Sequence, residues 1–476
     1  MFINGKWLEA ESGKRFEVLN PCDNEVIGNV PNGDEKDAIK AIDAADKAFA
    51  IWSKTSEYTR SSFLYDAYRI MLEEKENLAT LMTKEQGKPI KAARNEVQYG
   101  TDFLLWYAEE AKRIYGRTIP SPRSDQRFIV RHQPVGVVGA VTPWNYPVSM
   151  ITRKVAPALA AGCTIVLKPA EATPLCAIEI FKILERAGLP EGVVNLVTAE
   201  NPVPIGDVFV NDKRIKKITF TGSTAVGKKL AVGAASQMKR ISMELGGHAP
   251  FIVCKDADPI IAAKGAVLVK FLNTGQACIS PNRFYVHKDK TDAFLNELSK
   301  RVSAMKAGSG FEPGVSIGPL VNEKAVQKVE NQINDAVKKG ASVITGGKRL
   351  TENGLDKGSF FAPTVLSNVT SEMIIYREET FGPVAAVITY DDNDDLLKLA
   401  NDTNYGLASY VYTNDLSTAM KMFEGLNFGI IGINDINPTA AAAPFGGMKE
   451  SGIGREGGPE GIMEYMEKKL GGFSLR

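Results

Sequence analysis

From residue 136 onward the chain alternates short apolar runs with helix-period segments, and this alternation limits the fold more than any other feature. Residues 136–142 (GVVGAVT), 164–167 (TIVL), 193–197 (VVNLV) and 215–220 read as buried strands. Residues 174–187 and 223–235 carry the helical period. Strand and helix in turn at this spacing predict βαβ units on a parallel sheet. The style then repeats, with a strand at 249–253, a helix from about 259 to 272 and a strand at 284–287. Two α/β domains in tandem follow, which suits a chain of 476 residues. Their expected boundary is at Gly246 and Gly247, where paired glycines let the backbone pivot.

Before the alternation, helix patterns dominate. Residues 35–52 place Ala38, Ile39, Ile42, Ala45 and Phe49 at helical spacing, and 59–86 and 96–115 read the same way. Residues 127–131 are short and β-rich.

Charge and cysteine usage narrow the function classes. With 57 basic against 56 acidic residues and no basic stripe, nucleic acid and anionic membrane surfaces are not the expected partners. The N-terminus MFINGKWLEAESGKR lacks a basic region followed by an apolar one, so no secretory signal is expected. The longest nearly uncharged apolar stretch, 156–167, is too short to span a bilayer. The five cysteines (Cys22, Cys163, Cys176, Cys254, Cys278) stand singly, which argues against a disulfide framework or a metal site and for a reducing, cytoplasmic setting. Three histidines (His132, His248, His287) leave little room for multi-histidine chemistry.

Several local patterns carry chemistry, each beside a blander reading. Phe220-Thr221-Gly222-Ser223 ends a strand and opens a helix, whose free N–H groups suit a pyrophosphate; taken alone, a Gly-Ser turn that only caps the helix is the commoner reading. Lys168 and Glu171 follow another strand end, where ribose hydroxyls are gripped in open α/β sheets, or form a solvated loop. Cys278 lies in a polar, glycine-containing loop (Asn273 to Cys278), as a nucleophile or a small buried hydrophobe. Glu244 sits at the expected domain boundary, as a general base or a structural ion pair.

Seven segments in order carry a resemblance. They are Pro143-Trp144-Asn145, Lys168-Pro169-Ala170-Glu171, Phe220-Thr221-Gly222-Ser223, Glu244-Leu245-Gly246-Gly247, Gly275-Gln276-Ala277-Cys278, Glu379-Thr380-Phe381-Gly382-Pro383 and Pro444-Phe445-Gly446-Gly447. Together they resemble the aldehyde dehydrogenase superfamily over nearly the whole chain. The resemblance implies a Rossmann-like cofactor domain (1–116 and 135–245), a catalytic α/β domain (246–445) and a small β oligomerisation element (117–134 and 446–476), assembled as a homodimer or homotetramer. It implies Cys278 as the nucleophile forming a thiohemiacetal, Asn145 and the cysteine N–H as oxyanion donors, and Glu244 as the base that hydrolyses the thioester. Relatives that pass the acyl group to coenzyme A lack this glutamate, so a free acid is expected. By the same carry-over Trp144, Phe220, Gly222, Ser223, Leu245, Glu379 and Phe381 surround the dinucleotide, and Lys168 and Glu171 meet the adenosine ribose. An acidic side chain there repels a 2′-phosphate, so NAD is expected over NADP.

Residues 108–116, 150–154 and 448–456 look much like those of the succinate-semialdehyde dehydrogenases. In that group the arginine matching Arg153 holds the distal carboxylate, and a guanidinium forks well onto one; an interdomain or surface arginine is the plain alternative. If helix runs through this stretch, Arg153 lies about two turns beyond Asn145. Two departures stand out: Leu272 replaces a second arginine anchor, and Ser280 replaces a second cysteine used as a redox switch. Leu272 leaves open a small hydroxyaldehyde such as lactaldehyde or glycolaldehyde. Rivals from other classes are a thiol hydrolase using Cys278 and a non-catalytic member of the fold.

Overall fold

The computed structural model describes residues 1–475. In its eight-stranded first sheet, Val194–Leu196, Thr164–Lys168, Val137–Val141, Ile215–Thr221 and Arg240–Glu244 lie side by side in that order. All neighbours within this set are parallel. Thr164–Lys168 is buried at every residue, which is why its centre, Ile165 to Leu167, reads as an apolar run. The chain enters at Val137–Val141, moves outward to one side, then returns to Ile215–Thr221 on the other. A crevice opens beyond the carboxyl ends of strands at such a reversal.

Small residues let the flanking helices sit close. Glu35–Trp52 begins with a capping box between Asp34 and Asp37 and buries Ala38, Ala41, Ile42 and Ala45. Ile39 faces outward, 36% exposed. Residues 59–86, expected as one helix, form two, Glu57–Glu73 and Lys75–Gln86. The break is at Glu74 (ψ 7°), whose carboxylate accepts from Arg186 and Asn77 rather than continuing the helix face. No glycine or proline marks it. The next helix, Ile90–Glu110, starts directly after Pro89, earlier than its apolar pattern suggests. It packs on Ser149–Ala161, a helix buried at every residue and closed by Gly162 in the left-handed region (φ 92°). Helix thus reaches Arg153 only from Ser149 onward, and Asn145 precedes it in a loop.

The seven-stranded second sheet runs Ser342–Thr345, Thr364–Ser367, Val384–Tyr390, Pro281–His287, Ala249–Val253, Ala408–Tyr412, Ile430–Ile433, with the first pair antiparallel and the others parallel. The paired glycines between the sheets have a different reason from the one expected. Neither has a positive φ. A Cβ on Gly247 would lie 2.3 Å from the Cys278 carbonyl oxygen, so glycine permits close approach of two backbones rather than a pivot.

A three-stranded antiparallel sheet is formed by Arg117–Ile119, Gln126–Pro134 and Met466–Ser474. The expected 446–476 span divides. Met448–Lys449 pairs with Tyr405–Gly406, Gly452–Ile453 edges the first sheet beside Glu244, and the arm proper begins at Met466; residue 476 lies outside the described residues. Among the described residues no helix is long and apolar enough to cross a membrane.

Candidate active site

Three loops leave the first sheet at one level. Trp144 and Asn145 follow Val137–Val141, Gly222 and Ser223 follow Ile215–Thr221, and Glu244 ends its strand. Strand register sets this level, since Phe220 lies opposite Val141 and Thr221 opposite Glu244. Cys278 arrives from the second sheet's side, in the loop between the Pro259–Lys270 helix and the Pro281–His287 strand.

That loop is strained. Asn273, Thr274 and Gly275 are left-handed in succession (φ 50°, 59° and 76°). Such a conformation costs about 1–3 kcal/mol at each non-glycine residue and persists only where surroundings over-determine it. Here the side chains do so. Thr274 Oγ1 donates to the Gly318 carbonyl (3.1 Å) and accepts from the Gly318 N–H (3.0 Å). Gln276 donates to the Pro319 carbonyl (3.2 Å) and accepts from the Val321 N–H (2.9 Å). Asn273 Nδ2 donates to the Asn145 carbonyl (3.0 Å), tying the two halves of the site. A Cβ at Gly275 would lie 2.1 Å from the Gly382 carbonyl oxygen.

Cys278 and Glu244 are both buried and face each other. Burial pushes the Glu244 carboxyl up to about 7, with Arg153 opposing the rise. Burial, then the Glu244 charge, holds the Cys278 thiol well above its ordinary value. Glu244 Oε1 has no hydrogen-bond partner. The Asn145 amide donates one hydrogen to the Gln276 carbonyl (3.1 Å), which leaves the other for a ligand.

Cys278 lines two cavities at once. One, of about 270 Å³, is walled by Trp144, Asn145, Gly222, Ser223, Glu244 and Leu245, and closed by Glu379 and Phe381. Phe381 meets Trp144 edge-on at 5.6 Å. Glu379 accepts from the Gly247 N–H (2.8 Å). Lys168 and Glu171, expected at the adenosine ribose, and Phe220, expected around the dinucleotide, lie off that wall. Lys168 and Glu171 pair at 3.1 Å beyond their strand, and the Phe220 ring packs beneath Gly222. The residues fit a dinucleotide. The Thr224–Ala235 helix points its N-terminus here, and Ser223 makes no capping side-chain bond, so its first N–H groups are free for phosphate.

The other cavity, of about 330 Å³, holds Arg153, Tyr99, Leu272, Thr439 and Phe445. Arg153 is 1% exposed, so it is no surface residue. Its guanidinium stacks over Phe445 (4.0 Å), and Nη2 lies 2.9 Å from Glu456. No histidine lines either cavity. His248 is buried beside the Ile375 carbonyl (3.4 Å), so Cys278 has no cysteine–histidine pair of the kind a thiol hydrolase needs.

Two participants escaped sequence reasoning. Lys88 forms a buried ion pair with Glu96 and donates to the Asn145 carbonyl (2.8 Å). Glu96 in turn accepts from the N–H groups of Val148 (3.0 Å) and Ser149 (3.3 Å), capping the helix that bears Arg153. A Glu96, Tyr99, Phe103 face at helical spacing was the available signal.

A reversal crevice shaped for a dinucleotide, joined through one thiol to a second cavity, defines an NAD(P)-dependent oxidoreductase acting on a carbonyl. Comparison with known proteins gives the same class. The aldehyde dehydrogenase family model matches residues 7–470. The mitochondrial succinate-semialdehyde dehydrogenase of Oryza sativa subsp. japonica is 48% identical over 98% of this chain and 88% of its own. The 3-sulfolactaldehyde dehydrogenase of Pseudomonas putida is 46% identical over 99% and 96%. A crystal structure described as an E. coli NADP dependent enzyme superposes with a TM-score of 0.97 at 45% identity, covering 100% of this chain and 98% of that one. The chain belongs to the aldehyde dehydrogenase family.

Proposed function

We propose that this enzyme oxidises an aldehyde bearing a distal acid group to the carboxylic acid, with succinate semialdehyde as the best single substrate. The carrying observation is Arg153 on the wall of the cavity that Cys278 opens into. Arg153 and Lys154 share one salt-bridge partner, Glu456, so this buried cluster holds one cation in excess whenever the neighbouring Glu244 is protonated. A substrate carboxylate supplies the missing anion, which uncompensated buried charge favours strongly. The two relatives described above are named for aldehydes with a carboxylate and a sulfonate.

In this reading Glu244 takes the thiol proton and Cys278 attacks the aldehyde carbon. The oxyanion forms between the free Asn145 amide hydrogen and the Cys278 N–H. The nicotinamide, when bound, supplies the hydride acceptor. Cys278 then carries the acyl group as a thioester. Glu244 releases the thiol proton to solvent and then, through its unpartnered Oε1, removes a proton from the water that attacks the thioester, with Cys278 leaving as the thiolate. Glu379 would hold the nicotinamide ribose. Glu171, 48% exposed at its side chain, would meet the adenosine ribose and so favour NAD over NADP. The ratio of kcat/KM with the two cofactors tests this, and a higher value with NADP overturns it.

Leu272 favours a second reading. It lines the same cavity where a second cation would stand, which suits lactaldehyde or glycolaldehyde. Initial NADH formation with the three aldehydes under one set of conditions separates the readings. A tenfold or greater lead in kcat/KM for succinate semialdehyde supports the first, and a lead for either hydroxyaldehyde replaces it with the second. The arm sheet leaves Leu470 and Phe473 exposed and is the proposed interface of a homodimer or homotetramer.

A further inference from the structure

Arg153 is not the sole group in its cavity with bonding capacity to spare. Its Nε and Nη2 lack a well-directed hydrogen-bond partner, and so does the Tyr99 hydroxyl, although all three atoms are shielded from solvent. A buried hydroxyl without a partner costs on the order of 1–3 kcal/mol, so an unspent donor of this kind calls for a ligand. Two observations place it at the Arg153 end of the cavity. Phe103, one helical turn beyond Tyr99, meets the Tyr99 ring edge-on at 5.0 Å and lies 5.7 Å from the Arg153 guanidinium, so one ring braces both side chains. The Thr439 hydroxyl, near Tyr99 on the same wall, donates to Asn437 Oδ1 (3.2 Å), and Tyr99 makes no well-directed bond to it.

We propose that the Tyr99 hydroxyl is a second distal donor, hydrogen-bonding the substrate's acid group beside the Arg153 guanidinium and setting selectivity for aldehydes that carry one. A neutral donor then stands in for the cation that Leu272 leaves out. Its O–H directs a bond to one acid oxygen while the guanidinium serves the other, and it adds no charge to a cluster that a monoanion brings to neutrality while Glu244 is protonated. The proposal rests on the acid-aldehyde reading given above.

The test compares kcat and KM for succinate semialdehyde and for butanal, a chain of equal length without the acid, in the unaltered enzyme and in Tyr99→Phe. The selectivity ratio between the two aldehydes falls about tenfold or more in Tyr99→Phe, through KM for succinate semialdehyde rather than kcat, as expected for one hydrogen bond to a charged group. Equal losses for both aldehydes, or a loss in kcat alone, overturn the proposal by marking Tyr99 as a packing residue. An unchanged ratio overturns it too and leaves the acid-aldehyde reading standing. An unaltered enzyme that does not prefer succinate semialdehyde over butanal overturns both. Tyr99→Leu, with its melting temperature followed, separates loss of the hydroxyl from loss of the ring: a ratio as low as that of Tyr99→Phe supports the hydroxyl, and a fall confined to Tyr99→Leu counts against it.

Discussion

Lys88 and Glu96 form a buried ion pair whose two ends serve different parts of the site. The ammonium holds the Asn145 carbonyl, and the carboxylate caps the helix carrying Arg153. The oxyanion donor and the distal anchor are therefore positioned by one pair. Lys88→Met leaves Glu96 charged and unpaired in the interior, which costs about 3–5 kcal/mol. A lowered melting temperature together with a lowered kcat is expected. Glu96→Gln keeps one carbonyl oxygen for the helix cap but leaves the buried Lys88 ammonium unpaired, and a loss of similar size is expected. Thermal unfolding and steady-state rates check both.

Glu244 makes activity depend on pH in a stated direction. With its carboxyl pushed up to about 7 by burial, the base form dominates only above that value. The rate is expected to rise with pH through about 7. Glu244→Gln should lose on the order of 10²–10⁴-fold in kcat, and the rising limb with it. A pH profile of kcat for both proteins checks this.

Gly247→Ala places a methyl group 2.3 Å from the Cys278 carbonyl oxygen, where only backbone is available to yield. Overpacking of this kind costs about 1–3 kcal/mol. Because the displaced backbone is the nucleophile's own, kcat is expected to fall beyond what the stability loss explains. Rates measured well below the melting temperature separate the two effects.

Leu272→Arg adds a second cation to the substrate cavity. A charged hydrogen bond contributes about 1.5–3 kcal/mol, so KM for succinate semialdehyde is expected to fall about tenfold, with no gain for lactaldehyde. Steady-state kinetics with the two substrates check it.

Leu470→Asp combined with Phe473→Asp charges the arm strand on both of its faces, where these residues are 62% and 52% exposed. A shift to a smaller species in light scattering is expected, with the fold of each subunit retained by circular dichroism.

Much of the first sheet was legible because its strands are buried on both faces and so appear as short apolar runs, as at Ile165 to Leu167. The break at Glu74 was not, because it arises from hydrogen bonds to Arg186 and Asn77, one of them far along the chain. Gly246 and Gly247 were visible as a special point, but their reason was not, since the clash that forbids a side chain comes from a residue on another loop.

By itself the sequence determined the α/β class, through strand and helix periods that local sterics and burial impose. It also singled out Cys278, Glu244 and Asn145 by segments whose order matched a family. The tertiary structure decided what those residues meet. Strand register sets Glu244 opposite Thr221, a left-handed turn held by Gly318, Pro319 and Val321 presents Cys278, and the packing of two helices sets Tyr99 and Arg153 around one Phe103 ring. Lys168, Glu171 and Phe220 likewise found their places beyond or beneath the cavity wall only in the fold. The reason is physical: periodicity reports which face of an element is buried, whereas a site is made of contacts between elements, and their distances depend on register and packing that no local pattern records.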